Sequence, residues 1–381
     1  MTKYSWITFK INLAQLPWRS WVKLGECVAK CEQIKSVPLT PNLREELHLI
    51  YLAKGVHATT AIEGNTLTEE QVRALIQKEL ELPPSKQYLE QEVNNIIEAC
   101  NEIAVDISKG NLGDITIEQI CHYNSQVLGN NVPCAEDAMP GKIREHSVVV
   151  GSRYRAPDAK DVILFIERFC NWMNSPDFVN EQMSLHFAVI KAIIAHLYFV
   201  WIHPFGDGNG RVARLLEFVM LLSSGVPSPA AHLFSNHYNM TRTEYYNQLD
   251  KTSKTGDPTG FLSYAIQGFL DGLDEQLQYI HNHVISVCWR DYIYEQFAAH
   301  RSSNIVKRRR DLAVKISEHD EPINKDIILI LMRNEYRSKT ERTLARDLNE
   351  LERMRLVIKK KGGYVANKEL LLQFLPFGTS Q

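Results

Sequence analysis

Apolar residues recur at intervals of three and four along most of this chain, the spacing of helices with one buried face. The pattern predicts helices over residues 43–60, 69–82, 88–107, 117–128, 162–173, 183–200, 212–223 and 243–251. Thr68 with Gln71, and Thr116 with Gln119, have the spacing of capping boxes, in which side chains satisfy otherwise orphaned N–H groups. One stretch breaks the helical rhythm. Residues 141–151 carry a β-branched run bounded by Gly141 and Gly151, with Pro157 beyond, and read as a short hairpin standing out from a helical body. No internal repeat or low-complexity tract is visible.

The C-terminal part has its own pattern. Helical runs near 306–317 and 323–332 precede a third over 340–353, which Ser338 and Glu341 are spaced to cap. The segment from Leu356 to Tyr364 then turns at Gly362-Gly363. Three helices followed by a hairpin is the order of a winged helix-turn-helix. The division of the chain is therefore expected near 295–305. The fold class is mostly α, with a small β-hairpin and a C-terminal winged helix-turn-helix.

Composition narrows the class. The 381 residues, 44% hydrophobic and 23% charged, suit a globular protein with a real core and more than one unit. The net charge of −2 hides an asymmetry: from Arg301 onward there are 18 Lys/Arg against 11 Asp/Glu, and before it 25 against 34. A basic tail on an acidic body hints at a nucleic-acid or acidic-protein partner. The seven cysteines form no CxxC pair and read as free thiols in a reducing compartment. No signal-peptide core opens the chain. The most apolar stretch, 187–202, is interrupted by Lys191 and His196 and is short for a membrane span. A cytoplasmic protein without membrane contact is the expectation.

The chemistry concentrates in His203-Pro204-Phe205-Gly206-Asp207-Gly208-Asn209-Gly210-Arg211-Val212-Ala213-Arg214. Pro204 ends one buried helix, three glycines permit an unusual path, and a new apolar helix begins. N–H groups at a glycine-rich helix start attract anions, phosphate above all. Arg211 and Arg214, three apart, share a face beside that cradle and have the fork geometry that grips phosphates. Asp207 is suited to a Mg²⁺ ion held jointly with phosphates, and His203 to a general base. Each part alone has a commoner structural reading; together, at these spacings, they describe a polyphosphate site with a base beside it.

This segment matches at every specified position the signature HPFx(D/E)GNGRxxR of the Fic family, and the chain resembles that family over roughly 45–290. The resemblance implies transfer of AMP from ATP to a Tyr, Thr or Ser hydroxyl of another protein. His203 would take the hydroxyl proton, and Asp207 would hold Mg²⁺. The N–H groups of Gly208, Asn209 and Gly210 would hold phosphate oxygens with help from the Asn209 side chain. Arg211 and Arg214 would grip the β and γ phosphates, and Phe205 would anchor packing. Gly141, Arg144, Val148, Val150 and Gly151 are placed as in the family's flap, so 141–157 would dock the target chain, with Val150, Gly151, Ser152 and Arg153 near the nucleotide. Leu233-Phe234-Ser235 and Tyr245-Tyr246 resemble the segment beyond the motif helix, which would put Tyr245 and Tyr246 on the nucleotide pocket.

Thr59-Thr-Ala-Ile-Glu63-Gly64 matches the family's inhibitory pattern (S/T)xxxE(G/N). By that resemblance Glu63 pairs with Arg214 and displaces the γ-phosphate. The expected organisation is a helical region over 1–107 bearing the inhibitory helix, a catalytic core over 108–295, and a winged helix-turn-helix over 300–381. Retention of Gly208 and Gly210 favours adenylyl transfer over the altered nucleotide chemistry of relatives that replace these glycines. A bifunctional enzyme that also removes AMP stays open, as does a homodimer. A DNA-binding regulator with a Fic sensor domain is the rival reading, resting on Lys339, Arg342, Arg346, Arg353 and Lys359–Lys361, with Lys307–Arg310 adding charge. The winged part could equally contact protein. A pure interaction protein would need neither His203 and Asp207 nor both arginines.

Overall fold

The apolar spacing becomes helix through most of the chain in the computed structural model, which describes residues 4–129, 132–150 and 154–372. The chain divides into two compact units, Met1–Gln276 and Leu277–Gln381. The helices of the first are α1 (Trp18–Ser36), α2 (Pro41–Ile62), α3 (Glu69–Ile76), α4 (Gln87–Lys109), α5 (Ile117–Leu128), α6 (Ala159–Met173), α7 (Ser184–Ile202), α8 (Asn209–Ser223), α9 (Ser228–Ala231), α10 (Leu233–Met240), α11 (Arg242–Thr255) and the first part of α12 (Thr259–Ala298). A hairpin of β1 (Val149–Val150) and β2 (Tyr154–Arg155) pairs Val149 with Arg155 and Val150 with Tyr154.

Helix α7 is buried on every side, from Leu185 to Ile202, and packs along α8. That explains its uninterrupted apolar run: it is long and apolar enough to cross a membrane by composition, yet most of it lies inside the protein. Around this pair, α2, α4 and α5 pack on α8, and α6 packs on α7.

Local chemistry explains where several elements begin and end. The Thr68–Gln71 capping box forms with both of its hydrogen bonds. At Thr116 only half forms: Thr116 accepts from the Gln119 N–H, but the Gln119 side-chain oxygen is buried without a partner. The expected Ser338–Glu341 box does not form, because the N-cap is Thr340 and its side chain makes no cap bond. Helix α3 ends at Ile76, six residues short of the expected 82. Lys78 takes a left-handed conformation (φ 59°), and Glu79 and Lys78 donate back to the carbonyls of Ala74 and Leu75, closing a Schellman turn with lysine where glycine is usual. The hairpin pairs later than expected: no strand forms between 141 and 148, and the pairing joins Val149–Val150 to Tyr154–Arg155. Gly151, Ser152 and Arg153, expected near the nucleotide, fall outside the described residues.

The second unit takes in the last part of α12, then α13 (Asn304–Ser317), α14 (Lys325–Leu331), α15 (Arg333–Tyr336), α16 (Glu341–Arg353), β3 (Val357–Lys360) and β4 (Gly363–Ala366). Trp289, Ile293, Leu312, Ile316, Leu344, Leu348, Leu351 and Leu356 form its core. Because Trp289 and Ile293 lie on α12, this unit begins inside that helix. Ile323 bridges Tyr364 and extends the hairpin by one pairing.

Candidate active site

The motif loop is shaped by its own side chains. His203 ends α7 in the left-handed region (φ 50°, ψ 61°), its N–H bonded to the Phe199 carbonyl at 2.9 Å. The Asn209 side chain closes the loop, accepting from the Phe205 N–H at 2.9 Å and donating to the Phe205 carbonyl at 2.8 Å. Its amide is therefore engaged in holding the shape of the loop that carries the backbone N–H groups. Phe205 is buried, as a packing anchor should be. Gly208 starts α8 at φ 78°, and a Cβ there would stand 2.9 Å from the Asn124 amide, so the position demands glycine on both counts.

Two residues the motif does not contain brace this loop. Asn124 is fully buried; it donates to the Asp207 carbonyl and accepts from the Gly141 N–H, each at 2.9 Å. Arg144, 4% exposed, donates from Nε to the His203 carbonyl at 2.7 Å, and from its terminal nitrogens to the carbonyls of His146 (2.7 Å) and Pro157 (2.6 Å). One guanidinium thus ties the approach to the hairpin to the end of α7.

The charged groups are all partnered. Arg211 reaches Glu92 at 2.6 Å and Asp207 at 3.2 Å, leaving its Nε buried without a partner. Arg214 donates from Nε to the Thr59 hydroxyl at 2.7 Å and from Nη2 to the Thr59 carbonyl at 3.0 Å and the Glu63 carboxylate at 2.5 Å. Burial works against ionisation of both Glu63 and Arg214, but each outweighs it for the other: the Glu63 carboxyl is held below its usual range and Arg214 is raised. Glu63 follows the last residue of α2, and Gly64 after it is left-handed, so it is a helix-end residue and an ion-pair partner at once. It lies so close over Gly210 that a Cβ there would collide with its carboxylate.

A cavity of about 470 Å³ is lined by Glu63, Tyr154, His203, Gly210, Arg214, Tyr245 and Tyr246 among others. Asp207, Gly208, Asn209 and Arg211 are not on its wall. Tyr246 is 48% exposed, whereas Tyr245 is buried, its hydroxyl 2.8 Å from His196 Nε2 and its ring stacked on Tyr238. His203 Nδ1 lies 3.3 Å from the Val200 carbonyl, which assigns Nδ1 the proton and leaves Nε2 as the acceptor. Burial, with Arg144 adding to it, brings this imidazole down to about 4, against the raising effects of the Val200 carbonyl, Glu63 and Asp207.

The Asp207 carboxylate is 30% exposed and takes the N–H groups of Gly208 and Ala135 as well as Arg211. Among the described residues no group of three or more His, Cys, Asp or Glu could hold a metal. A single carboxylate beside a helix start fits a Mg²⁺ ion that completes its shell with phosphate oxygens and water. Glu92 was not found from the sequence, although a signal existed: it sits at a helical interval within the otherwise apolar face Leu89, Val93, Ile96 of α4.

Residues 114–221 match the Fic/DOC family. The protein adenylyltransferase fic-1 of Caenorhabditis briggsae is 31% identical over 224 residues, covering 58% of this chain and 40% of the relative. The protein adenylyltransferase Fic of Drosophila melanogaster is 30% identical over 209 residues, 55% and 39%. Among solved structures, Fic-1 of C. elegans (residues 134–508) superposes with a TM-score of 0.54 at 25% identity, covering 69% of this chain and 73% of that one. A Fic family protein from Desulfovibrio desulfuricans shares the fold at the same TM-score and 20% identity, covering 89% and 91%. This chain spans about two fifths of the length of the curated relatives.

Proposed function

We propose that this chain, which carries a Fic/DOC domain and is homologous to Fic protein adenylyltransferases, transfers AMP from ATP to a hydroxyl side chain of another protein and is held silent by Glu63. The observation that carries this reading is the shared cavity, where a neutral imidazole, an arginine and a helix start meet two tyrosines.

His203 Nε2 takes the proton as the target hydroxyl oxygen forms its bond to the α-phosphorus. The bond from that phosphorus to the bridging oxygen breaks, and pyrophosphate leaves with the electron pair. Gly210 brings the N-terminal turn of α8 to the cavity wall where the charge builds, a role suited to a helix N-terminus. Asp207 would hold Mg²⁺, which when bound supplies neutralisation of the leaving phosphates. Tyr246 offers a face for the nucleobase at the exposed side of the cavity, and the edge of β1 offers main-chain groups to an extended target segment.

Inhibition follows from one arginine with two claimants. Arg214 gives Nε and Nη2 to Thr59 and Glu63, so a γ-phosphate competes with the Glu63 carboxylate for the guanidinium. ATP bound with Glu63 in place would lie out of line for attack, an error that costs on the order of a hundredfold in rate.

The test is radiolabelled AMP incorporation at fixed ATP and Mg²⁺. Glu63→Gly should raise transfer by about two orders of magnitude. Glu63→Gln, which keeps the bulk and a hydrogen bond, should raise it less. Arg214→Ala should be inactive with or without Glu63. Equal activity of the parent and Glu63→Gly would end the inhibitory reading, and no incorporation by any variant would end the reading of AMP transfer.

A further inference from the structure

The second unit presents a charge pattern that AMP transfer does not use. On α16 the buried residues are Leu344, Asp347, Leu348 and Leu351. Arg342, Arg346, Asn349 and Arg353, at i, i+4, i+7 and i+11, are all exposed and form one stripe on the opposite face. The rotation of the helix that exposes this stripe is fixed from behind. Asp347, 1% exposed, accepts from Arg308 Nε and Arg309 Nε at 2.8 Å each and from the Tyr336 hydroxyl at 2.9 Å. Those contacts place two of the basic residues of 307–310 in the support of the helix rather than on a binding face.

A second group of cations stands on the hairpin that packs beside α16. Lys359, Lys360 and Lys361 are exposed where β3 turns into β4, with Lys360 paired to Gly363. Gly363 (φ 153°) is needed there, because a Cβ would stand 2.0 Å from the Ile323 carbonyl, and that approach makes the bridge anchoring the hairpin. Among the described residues, Arg342, Arg346 and the three lysines have no ion-pair partner, whereas Arg308 and Arg309 pair with Asp347, Arg310 with Asp311, Lys315 with Glu318, Lys368 with Asp320 and, on the stripe itself, Arg353 with Glu350.

We propose that this face binds duplex DNA, with α16 in the major groove and the lysine turn on the flanking phosphate backbone. A helix fits that groove, and its exposed stripe offers the side chains that read it: arginines match guanine and asparagine matches adenine. Five unpaired cations on two adjacent elements match a regularly spaced line of phosphates better than they match a compact partner. The proposal is independent of the chemistry at His203 and stands or falls separately.

The experiment is fluorescence anisotropy of the full chain with a short labelled duplex of mixed sequence, over a series of salt concentrations. Binding should be in the range of about 10⁻⁴ to 10⁻⁶ M at physiological salt and tighten steeply as salt falls. Ala at 359, 360 and 361 should lower the slope of log affinity against log salt by about three, whereas Arg342→Ala with Arg346→Ala should weaken binding with a smaller change of slope. These positions are exposed, so the thermal transition and the AMP transfer of a Glu63→Gly background should be unchanged. Absence of binding at low salt, a slope that ignores the lysine substitutions, or an affinity that ignores the arginine pair would overturn the proposal. Displacement of the duplex by poly-glutamate or single-stranded DNA at equal charge would also overturn it, because the face would then read negative charge and not a groove.

Discussion

At the scale of single residues the site depends on a histidine held in a backbone region that side chains avoid. A left-handed conformation at a non-glycine residue is costly, and it persists only when neighbours over-determine it. Here the Phe199 carbonyl holds the His203 N–H and Arg144 holds the His203 carbonyl, so the imidazole is aimed into the cavity. With the imidazole brought down to about 4, its base form is present above that pH and is lost as the pH falls through it. In a Glu63→Gly background, whose transfer is measurable, the rate should be flat from neutral pH to about 5 and fall below that. Removing Glu63 takes away a contribution that raises the imidazole, so the fall moves lower still. A midpoint near 6.5, the ordinary value for histidine, would show that burial does not set the base. His203→Ala should cost about 10² to 10⁴ in rate with ATP binding retained. The identity of this base was legible because His203, Asp207 and Arg214 lie within one turn of chain and helix. The partner of Arg211 was not, since Glu92 is 119 residues away and no local spacing connects them.

Among the elements, the helices with a clear apolar stripe were legible and their ends were less so. The stop at Lys78 had no signal, because a lysine in the left-handed turn looks like any surface lysine. Helices α1 and α12 were not assigned in the sequence reading, although Leu24, Cys27, Cys31 and Ile34 on α1, and Phe261, Ala265, Phe269 and Leu273 on α12, are buried at helical intervals. The hold on α2 was also invisible. Arg242, the first residue of α11, donates to the carbonyls of Ala61 at 3.3 Å and Ile62 at 2.5 Å at the end of α2, where Ala61 also accepts from the Gly64 N–H at 3.0 Å. It thereby fixes the last turn of the helix that delivers Glu63. Hydrogen bonds from a charged donor contribute roughly 1.5–3 kcal/mol. Arg242→Ala should therefore shift the balance toward a displaced Glu63 and raise AMP transfer by about tenfold, less than Glu63→Gly does. Combining it with Glu63→Gly should add nothing, since the carboxylate whose delivery it secures is already gone. An additive gain would show that Arg242 restrains transfer by a route other than Glu63, and a loss would place it in substrate binding.

For the whole molecule the question is where one unit can be cut from the other. Sequence punctuation suggested 295–305, where α12 gives way to Arg301-Ser302-Ser303. The packing divides elsewhere, at Gln276, because the second half of α12 carries Trp289, Ile293 and Phe297 into the core of the C-terminal unit. A helix that serves two cores gives no break in its periodicity at the point where its allegiance changes, and so pattern reading passes over the boundary. The two cuts have different consequences. A chain ending at Gln276 keeps the motif helices, the cavity and the Gln276 side-chain bond to the Pro229 carbonyl at 2.8 Å. A chain ending near 295 keeps the same site but uncovers Trp289 and Ile293, both fully buried in the intact protein, on a helix stripped of its partners. Burying side chains of that size contributes about 1.5–3 kcal/mol each, and an exposed stripe of them favours association. The Glu63→Gly chain ending at Gln276 should then be monodisperse, melt in one cooperative transition and retain AMP transfer. The chain ending near 295 should associate as its concentration rises, and Trp289→Gln with Ile293→Gln should relieve that association. Light scattering and thermal denaturation separate the outcomes. Loss of the cooperative transition in the chain ending at Gln276, with a stable monomer ending near 295, would show that residues 277–295 belong to the catalytic unit.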